Sequence, residues 1–183
     1  MSVTFAELGL KPFLLETLAA EGFDEPTDIQ REAIPLIIEG RDAIACARTG
    51  TGKTAAFTLP LINNVDPDIR AVQMLVLTPT RELALQVAEV ATTFGRGARI
   101  RVTAVYGGQP FGQQARQLSR GAQVVIGTPG RILDHLSQGT LDASQVRSLV
   151  LDEADRMLDM GFSEDVEKIL SHLPAERQNA FFS

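Results

Sequence analysis

Short apolar runs alternate along this chain with stretches whose apolar positions repeat at helical spacing. Ala43–Cys46, Met74–Leu77, Arg101–Tyr106, Val124–Gly127, Leu149–Asp152 and Asn179–Ser183 read as strands. Helical patterns fall between them. Arg81–Phe94 is the clearest, with Leu83, Val87, Val90, Ala91 and Phe94 on one face. Thr54–Asn63, a weaker Gln109–Ser119, a short stretch through Ile132, Leu133 and Leu136, and Glu164–Leu173 complete the set. Strands alternating with helices predict right-handed βαβ units. The fold class is therefore α/β, with a mostly parallel central sheet and helices on both faces. Phe5–Gly40 reads as two helices separated by Gly22–Thr27. Pro12 suits the first turn of one, and Pro35 is expected to bend the other. Residues 1–40 are taken as part of the same domain as residues 41–183. No internal repeat or low-complexity linker interrupts it. The pattern stops inside a strand at Ala180–Ser183, so the domain is expected to continue beyond Ser183.

Composition narrows the class. The length of 183 residues suits one domain with a real core. Apolar residues make up 44% and charged residues 22%, a soluble globular balance. No apolar run approaches a membrane span, and the N-terminus lacks the pattern of a signal peptide. A reducing cytoplasm is the expected compartment. One cysteine, Cys46, excludes an internal disulfide framework and a cysteine-cluster zinc site. Cys46 is expected to be a small buried residue. His135 and His172 are expected to pack or to sit on the surface, and Met157 and Met160 are expected to pack.

Charge is unevenly placed. The net value is −6, which alone argues against nucleic acid. Yet Arg70–Arg131 holds eight cations, all arginine, against two acids. The planar arginine fork suits phosphate. A solvated surface with uneven charge explains the same counts equally well.

Ala47–Arg48–Thr49–Gly50–Thr51–Gly52–Lys53–Thr54 follows a strand and opens a helix. It matches the phosphate-loop pattern except for Ala47 in place of the first glycine. Gly50 and Gly52 permit positive φ and a close approach of backbone to phosphate. Consecutive N–H groups at a helix start would surround the oxyanions. Lys53 would bridge the β- and γ-phosphates, and the Thr54 hydroxyl would hold Mg²⁺. Lys53 is the only lysine between Lys11 and Lys168. The rival explanation is a Gly/Thr turn capping an ordinary helix.

Asp152–Glu153–Ala154–Asp155 ends the strand through Val150–Leu151. Ligands bind at that edge of open α/β sheets. Asp152 there would reach Mg²⁺ opposite the phosphate loop, and Glu153 could take a proton from an attacking water. An acidic helix start favoured by the dipole is the plainer alternative.

Three further segments follow strands: Pro79–Thr80–Arg81, Gly107–Gly108 and Thr128–Pro129–Gly130–Arg131. Each has a structural explanation as a cap or turn. All three should nevertheless share one sheet edge. Helix-start N–H groups with Arg81 and Arg131 would make a phosphate-tracking groove without base specificity.

With these motifs in hand, the sequence resembles the DEAD-box ATP-dependent RNA helicases. Asp152–Asp155 spells the family's name motif. Gly22–Phe23 with Pro26–Thr27–Asp28–Ile29–Gln30 looks like its Q motif, with Phe5 as the isolated upstream aromatic. Pro79–Ala84 looks like motif Ia, Gly107–Gly108 like the paired-glycine element and Thr128–Arg131 like motif Ib. Ala47 is the family's own variant of the phosphate loop. The wording looks closest to bacterial cold-shock-type members.

The resemblance implies a RecA-like phosphate-loop domain, the first of two, that uses ATP and Mg²⁺ and binds RNA mainly through its backbone. It implies stacking of Phe23 on adenine and recognition of adenine by Gln30. A glutamine amide matches adenine N6 and N7. The residues alone favour an exposed helical glutamine and a packed phenylalanine. Asp155 is implied in coupling to the second domain, which carries the arginine fingers and is missing here. Ser183 looks like the start of that family's Ser-Ala-Thr motif. A generic phosphate-loop ATPase or DNA translocase, and a nucleotide-gated RNA-binding scaffold, remain the alternatives. Oligomeric state is not legible.

Overall fold

The computed structural model describes residues 3–48 and 50–183. Thr49 of the phosphate loop lies outside them. A 3₁₀ turn at Phe5–Leu8 precedes α1 (Pro12–Ala20) and α2 (Asp28–Ile38). The chain then alternates: β1 (Ala43–Ala45), α3 (Lys53–Asn64), β2 (Met74–Leu77), α4 (Arg81–Gly95) and β3 (Val102–Val105). It continues through α5 (Phe111–Ser119), β4 (Val124–Gly127), α6 (Pro129–Ser137) and β5 (Ser148–Asp152). Two helices, α7 (Ala154–Asp159) and α8 (Ser163–His172), lead to β6 (Gln178–Phe182). Helix α2 runs on through Pro35.

The six strands form one sheet in the order β1-β6-β5-β2-β4-β3, and every pairing is parallel. Alternation within each strand sends side chains to two separate cores. Met74, Val76, Val124, Ile126, Val150 and Phe182 meet α1 to α4 on one face. Leu75, Leu77, Val125 and Leu149 meet α5 to α8 on the other. Phe57 of α3 and Phe182 of β6 lie ring to ring at 5.1 Å in the first core. Each fully buried Leu, Ile or Phe contributes about 1.5–3 kcal/mol. Phe5 is buried in this core as well.

Gly127 is required by close packing. A Cβ there would overlap the Val105 carbonyl of the neighbouring strand. At the opposite, N-terminal edge, three buried glutamines hold loops in place. Gln73 Nε2 donates to the Asp66 and Ile69 carbonyls, Gln123 Nε2 to Pro67, and Gln178 Nε2 to Ile37 and Arg41.

Some of the residue-level expectations hold and others change. Cys46 is exposed, not buried. It follows β1, an edge strand that pairs only with β6, so nothing in the sheet covers it. Ile44 on the same strand is 81% exposed. Met157 packs in the second core, while Met160 is half exposed. His135 is fully buried and His172 is not. The sequence pattern also lacked α7, a six-residue helix with Met157 as its one buried residue.

Candidate nucleotide and nucleic-acid site

Strand order divides the C-terminal edge of the sheet into two halves. The phosphate loop leaves β1 and Asp152 ends β5, with β6 between them. Beyond β5 come β2, β4 and β3, which carry Pro79–Arg81, Thr128–Arg131 and Gly107–Gly108 in turn.

In the first half, Gly50, Gly52, Lys53, Thr54, Asp152 and Glu153 line one cavity of about 340 Å³. Leu83 and Gln86 of α4 close its far wall. Leu83 belongs to the Pro79–Ala84 segment but was expected only to pack, and Gln86 stands in no recognisable motif, so nothing in the sequence pointed to either as part of this cavity. Gly52 caps α3 at φ +86°, and Gly50 has φ +83°. The loop is tied to the sheet: Ala47 N–H donates to the Ser183 carbonyl, and Ser183 N–H donates to the Ala45 carbonyl, both at 3.0 Å. Within the loop, the Thr51 hydroxyl donates to the Arg48 carbonyl at 2.7 Å.

Asp152 is 3% exposed. Burial, then the neighbouring Glu153 charge, push its carboxyl up to about 6, while Lys53 and the Glu153 N–H pull it down. That N–H donates to Asp152 Oδ1 at 3.0 Å. Glu153 adopts a left-handed backbone, φ 51° and ψ 50°, unusual for a residue other than glycine. Its carboxylate accepts from Arg156 Nη1 at 3.0 Å. Backbone strain of this kind gathers at functional positions and costs about 1–3 kcal/mol. Asp155 is exposed in the first turn of α7.

Among the described residues no group of three or more His, Cys, Asp or Glu side chains could hold a metal ion by itself. The Thr54 hydroxyl and the Asp152 carboxylate are hard oxygen donors, the kind Mg²⁺ takes. They fit an ion that receives its other ligands from phosphate and water.

Gln30 is 2% exposed, so it is not the exposed glutamine that sequence alone favoured. Its Oε1 accepts from Thr27 N–H at 3.0 Å and its Nε2 donates to the Gly52 carbonyl at 3.2 Å. An amide has two N–H groups and two lone pairs. One donor and one acceptor therefore remain. A second cavity, about 490 Å³, lies beside it between α2 and the loop, lined by Thr27, Ile29, Glu32, Cys46, Ala47 and Arg48 among others. Phe23 is 39% exposed and meets Phe94 edge-on at 6.0 Å, outside the lining of that cavity.

In the second half, Thr80 Oγ1 accepts from Leu83 N–H at 3.2 Å and caps α4. The Arg81 guanidinium lies over the Tyr106 ring at 5.0 Å. Gly108, at φ +87°, comes close enough that a Cβ would sit 3.7 Å from Arg81 Nη1. Thr128 and Pro129 start α6, with Gly130 and Arg131 in its first turn. The three segments thus adjoin through side chains as well as through strand order.

Residues 27–183 match the model of the DEAD/DEAH box helicase family. The chain belongs to that family. It is 57% identical over 181 residues to the ATP-dependent RNA helicase DeaD of Klebsiella pneumoniae, covering 98% of this chain and 28% of that protein. It is 51% identical over 180 residues to the DEAD-box ATP-dependent RNA helicase CshA of Geobacillus kaustophilus, covering 98% and 38%. The crystal structure of a DEAD box protein from the hyperthermophile Methanococcus jannaschii superposes with a TM-score of 0.93 at 43% identity, covering 98% of this chain and 49% of that one. The fold is therefore the RecA-like domain of DEAD-box proteins, and the chain spans less than half the length of these relatives. No helix among the described residues is long and apolar enough to cross a membrane.

Proposed function

We propose that this chain is the ATP-binding N-terminal domain of an ATP-dependent RNA helicase. One observation carries the reading: the sheet places Lys53 and Asp152 in one cavity and gathers three phosphate-type segments on the strands beyond it.

In this reading residues 47–54 cradle the nucleotide phosphates through backbone N–H groups at the start of α3. Thr49, outside the described residues, belongs to the same cradle by sequence. Lys53 binds the β- and γ-phosphates. Thr54 and Asp152 would hold Mg²⁺, Asp152 through water, and the ion would neutralise charge developing on the transferred phosphate. Glu153 accepts the proton of the attacking water at its carboxylate. For that it must exchange the Arg156 ion pair for the water, and the pair is weak because Arg156 is more than half exposed. Gln30 recognises adenine with the donor and acceptor that Thr27 and Gly52 leave over. Its burial means that nucleotide binding displaces the loop around Gly52. Phe23 stacks on the base from the α1–α2 loop.

RNA lies over Pro79–Arg81, Gly107–Gly108 and Thr128–Arg131, gripped by its phosphates and distinguished from DNA by its 2′-hydroxyls. In the longer protein a second RecA-like domain closes on both ligands, Asp155 couples the two, and hydrolysis drives local unpairing of a duplex. The work is cytoplasmic. The chain alone binds nucleotide weakly, hydrolyses ATP very slowly and does not unwind RNA.

The test is a pair of titrations of the chain with oligouridylate and with oligodeoxythymidylate. Tighter binding of RNA, weakened by Arg81→Ala, supports the reading. Equal binding of both would favour a DNA translocase or a generic phosphate-loop ATPase.

A further inference from the structure

One arginine on the proposed RNA face is held back from solvent. The Arg131 side chain is 17% exposed, whereas Arg81 on the same edge is an exposed residue. Both N–H groups of Arg131 Nη1 are engaged: one donates to the Gln109 carbonyl at 2.9 Å, the other to Gln114 Oε1 at 3.1 Å. Asp134 Oδ2 lies 3.7 Å from Arg131 Nε and offsets the charge.

Gln114 is fully buried in the middle of α5. Its Nε2 donates to the Tyr106 carbonyl at 2.9 Å. An amide whose nitrogen meets a carbonyl and whose oxygen meets a guanidinium has only one orientation. Oε1 is also 3.2 Å from His135 Nε2, so that nitrogen carries the proton. His135 Nδ1, 2.8 Å from Thr140 Oγ1, is left to accept from that hydroxyl. The imidazole is fully buried and stacked on the Phe111 ring at 4.0 Å. On the other side, Gln109 Nε2 donates to the Tyr106 hydroxyl at 2.6 Å, beneath the Arg81 guanidinium. Hydrogen bonds therefore link Thr140, His135, Gln114, Arg131, Gln109 and Tyr106 in one chain, and such networks rigidify the segments they join.

We propose that Arg131 is a positioning residue and not a phosphate ligand: with Gln114 and His135 it forms a buried tie that holds the Tyr106–Gln109 turn against the first turn of α6. The tie fixes the spacing between the Gly107–Gly108 backbone and the Thr128–Gly130 backbone before RNA arrives. Arg81 supplies the charge that meets phosphate, and the tie supplies the geometry. This rests on the RNA-face reading above. It adds Gln114 and His135 to the working residues and moves Arg131 from contact to support.

The experiment measures oligouridylate affinity of the 183-residue chain against salt concentration, with Mg·ADP affinity in parallel as a check on the fold. Arg81→Ala removes a direct cation, so affinity falls and the slope of log affinity on log salt drops by about 0.7. Gln114→Met and Arg131→Lys keep the net charge while cutting the tie. Each lowers RNA affinity about tenfold, the scale of one hydrogen bond to a charged group, with the salt slope and the ADP affinity of the unsubstituted chain. Arg131→Lys is as weak as Arg131→Ala, and Gln114→Met combined with Arg131→Ala is no weaker than Arg131→Ala alone. If Gln114→Met loses ADP affinity as well, His135→Phe, which keeps a ring on Phe111 and deletes the Nε2 donor, replaces it in the same comparison. The proposal is overturned if Arg131→Lys binds RNA like the unsubstituted chain, or if the tie variants do so while Arg81→Ala is weakened. If Arg81→Ala and Arg131→Ala both bind unchanged, the RNA-face reading itself fails.

Discussion

The side-chain amide of Gln30 donates to the main-chain carbonyl of Gly52 at 3.2 Å, linking α2 to the phosphate loop across 22 residues of sequence. A Cβ on Gly52 would collide with that amide and approach Thr27 Oγ1 to 3.2 Å. At φ +86° it would also be strained. Gly52→Ala is therefore expected to cost about 1–2 kcal/mol of stability and to abolish nucleotide binding. Thermal unfolding and ADP titration of the same variant check both. An unchanged melting temperature would show that the loop adapts without relying on this contact.

Asp152 is a buried carboxylate beside a second one, and its raised pKa sets a sign. The folded chain holds a proton there more tightly than the unfolded chain, whose Asp titrates near 3.8. Stability from this group is thus fully present below pH 3.8 and is lost as pH rises through about 6. Asp152→Asn removes the charged form. It should stabilise the nucleotide-free chain at neutral pH, by on the order of 2–3 kcal/mol, and show no gain at pH 4. Melting curves of both proteins across that range measure it. A variant less stable at pH 7.5 would contradict the account.

Glu153 occupies left-handed backbone while carrying the general-base role proposed for it. Glu153→Gly should relieve about 1 kcal/mol of strain and raise the melting temperature by a few degrees. Glu153→Gln keeps the strain and should leave the melting temperature near its original value. Both should suppress ATP turnover of the longer protein in the presence of RNA. Turnover that survives Glu153→Gln would remove the proton-acceptor role.

His135 is pushed the other way. Burial first, then the nearby Arg131 charge, lower its pKa below the usual 6.5, with Asp134 opposing. The unfolded chain then binds more protons in the window just below 6.5. The contribution of His135 to stability is present above that value and declines as pH falls toward its folded pKa. His135→Phe should flatten this part of the stability profile, as read from denaturant midpoints at pH 7 and pH 5.5. An unchanged slope would place the acid sensitivity elsewhere.

Much of this fold was legible because each strand is bounded by residues with their own turn chemistry. Met74–Leu77 and Val124–Gly127 end before Thr-Pro segments and keep the predicted limits. The other strands shift by one residue at one end or both, where pairing partners decide the boundary. Helix α7 was not legible: with one buried residue in six, it has no apolar period to read. Cys46 was misjudged because an apolar run looks the same on an edge strand as in a sheet centre. Which strand is at the edge follows from strand order, a property of the whole fold. The motif residues of the candidate site could be named from the sequence because each spans a few consecutive positions. The tie through Gln114 and His135 could not, since 21 residues separate them and only packing of α5 against α6 brings them together.

The most direct test of the central claim is calorimetric titration of the chain with Mg·ADP and Mg·GDP, repeated on Gln30→Ala. The account predicts that ADP binds measurably tighter than GDP and that the preference disappears in the variant. Equal binding of both nucleotides, indifferent to Gln30, would leave a phosphate loop without an adenine clamp and would contradict it.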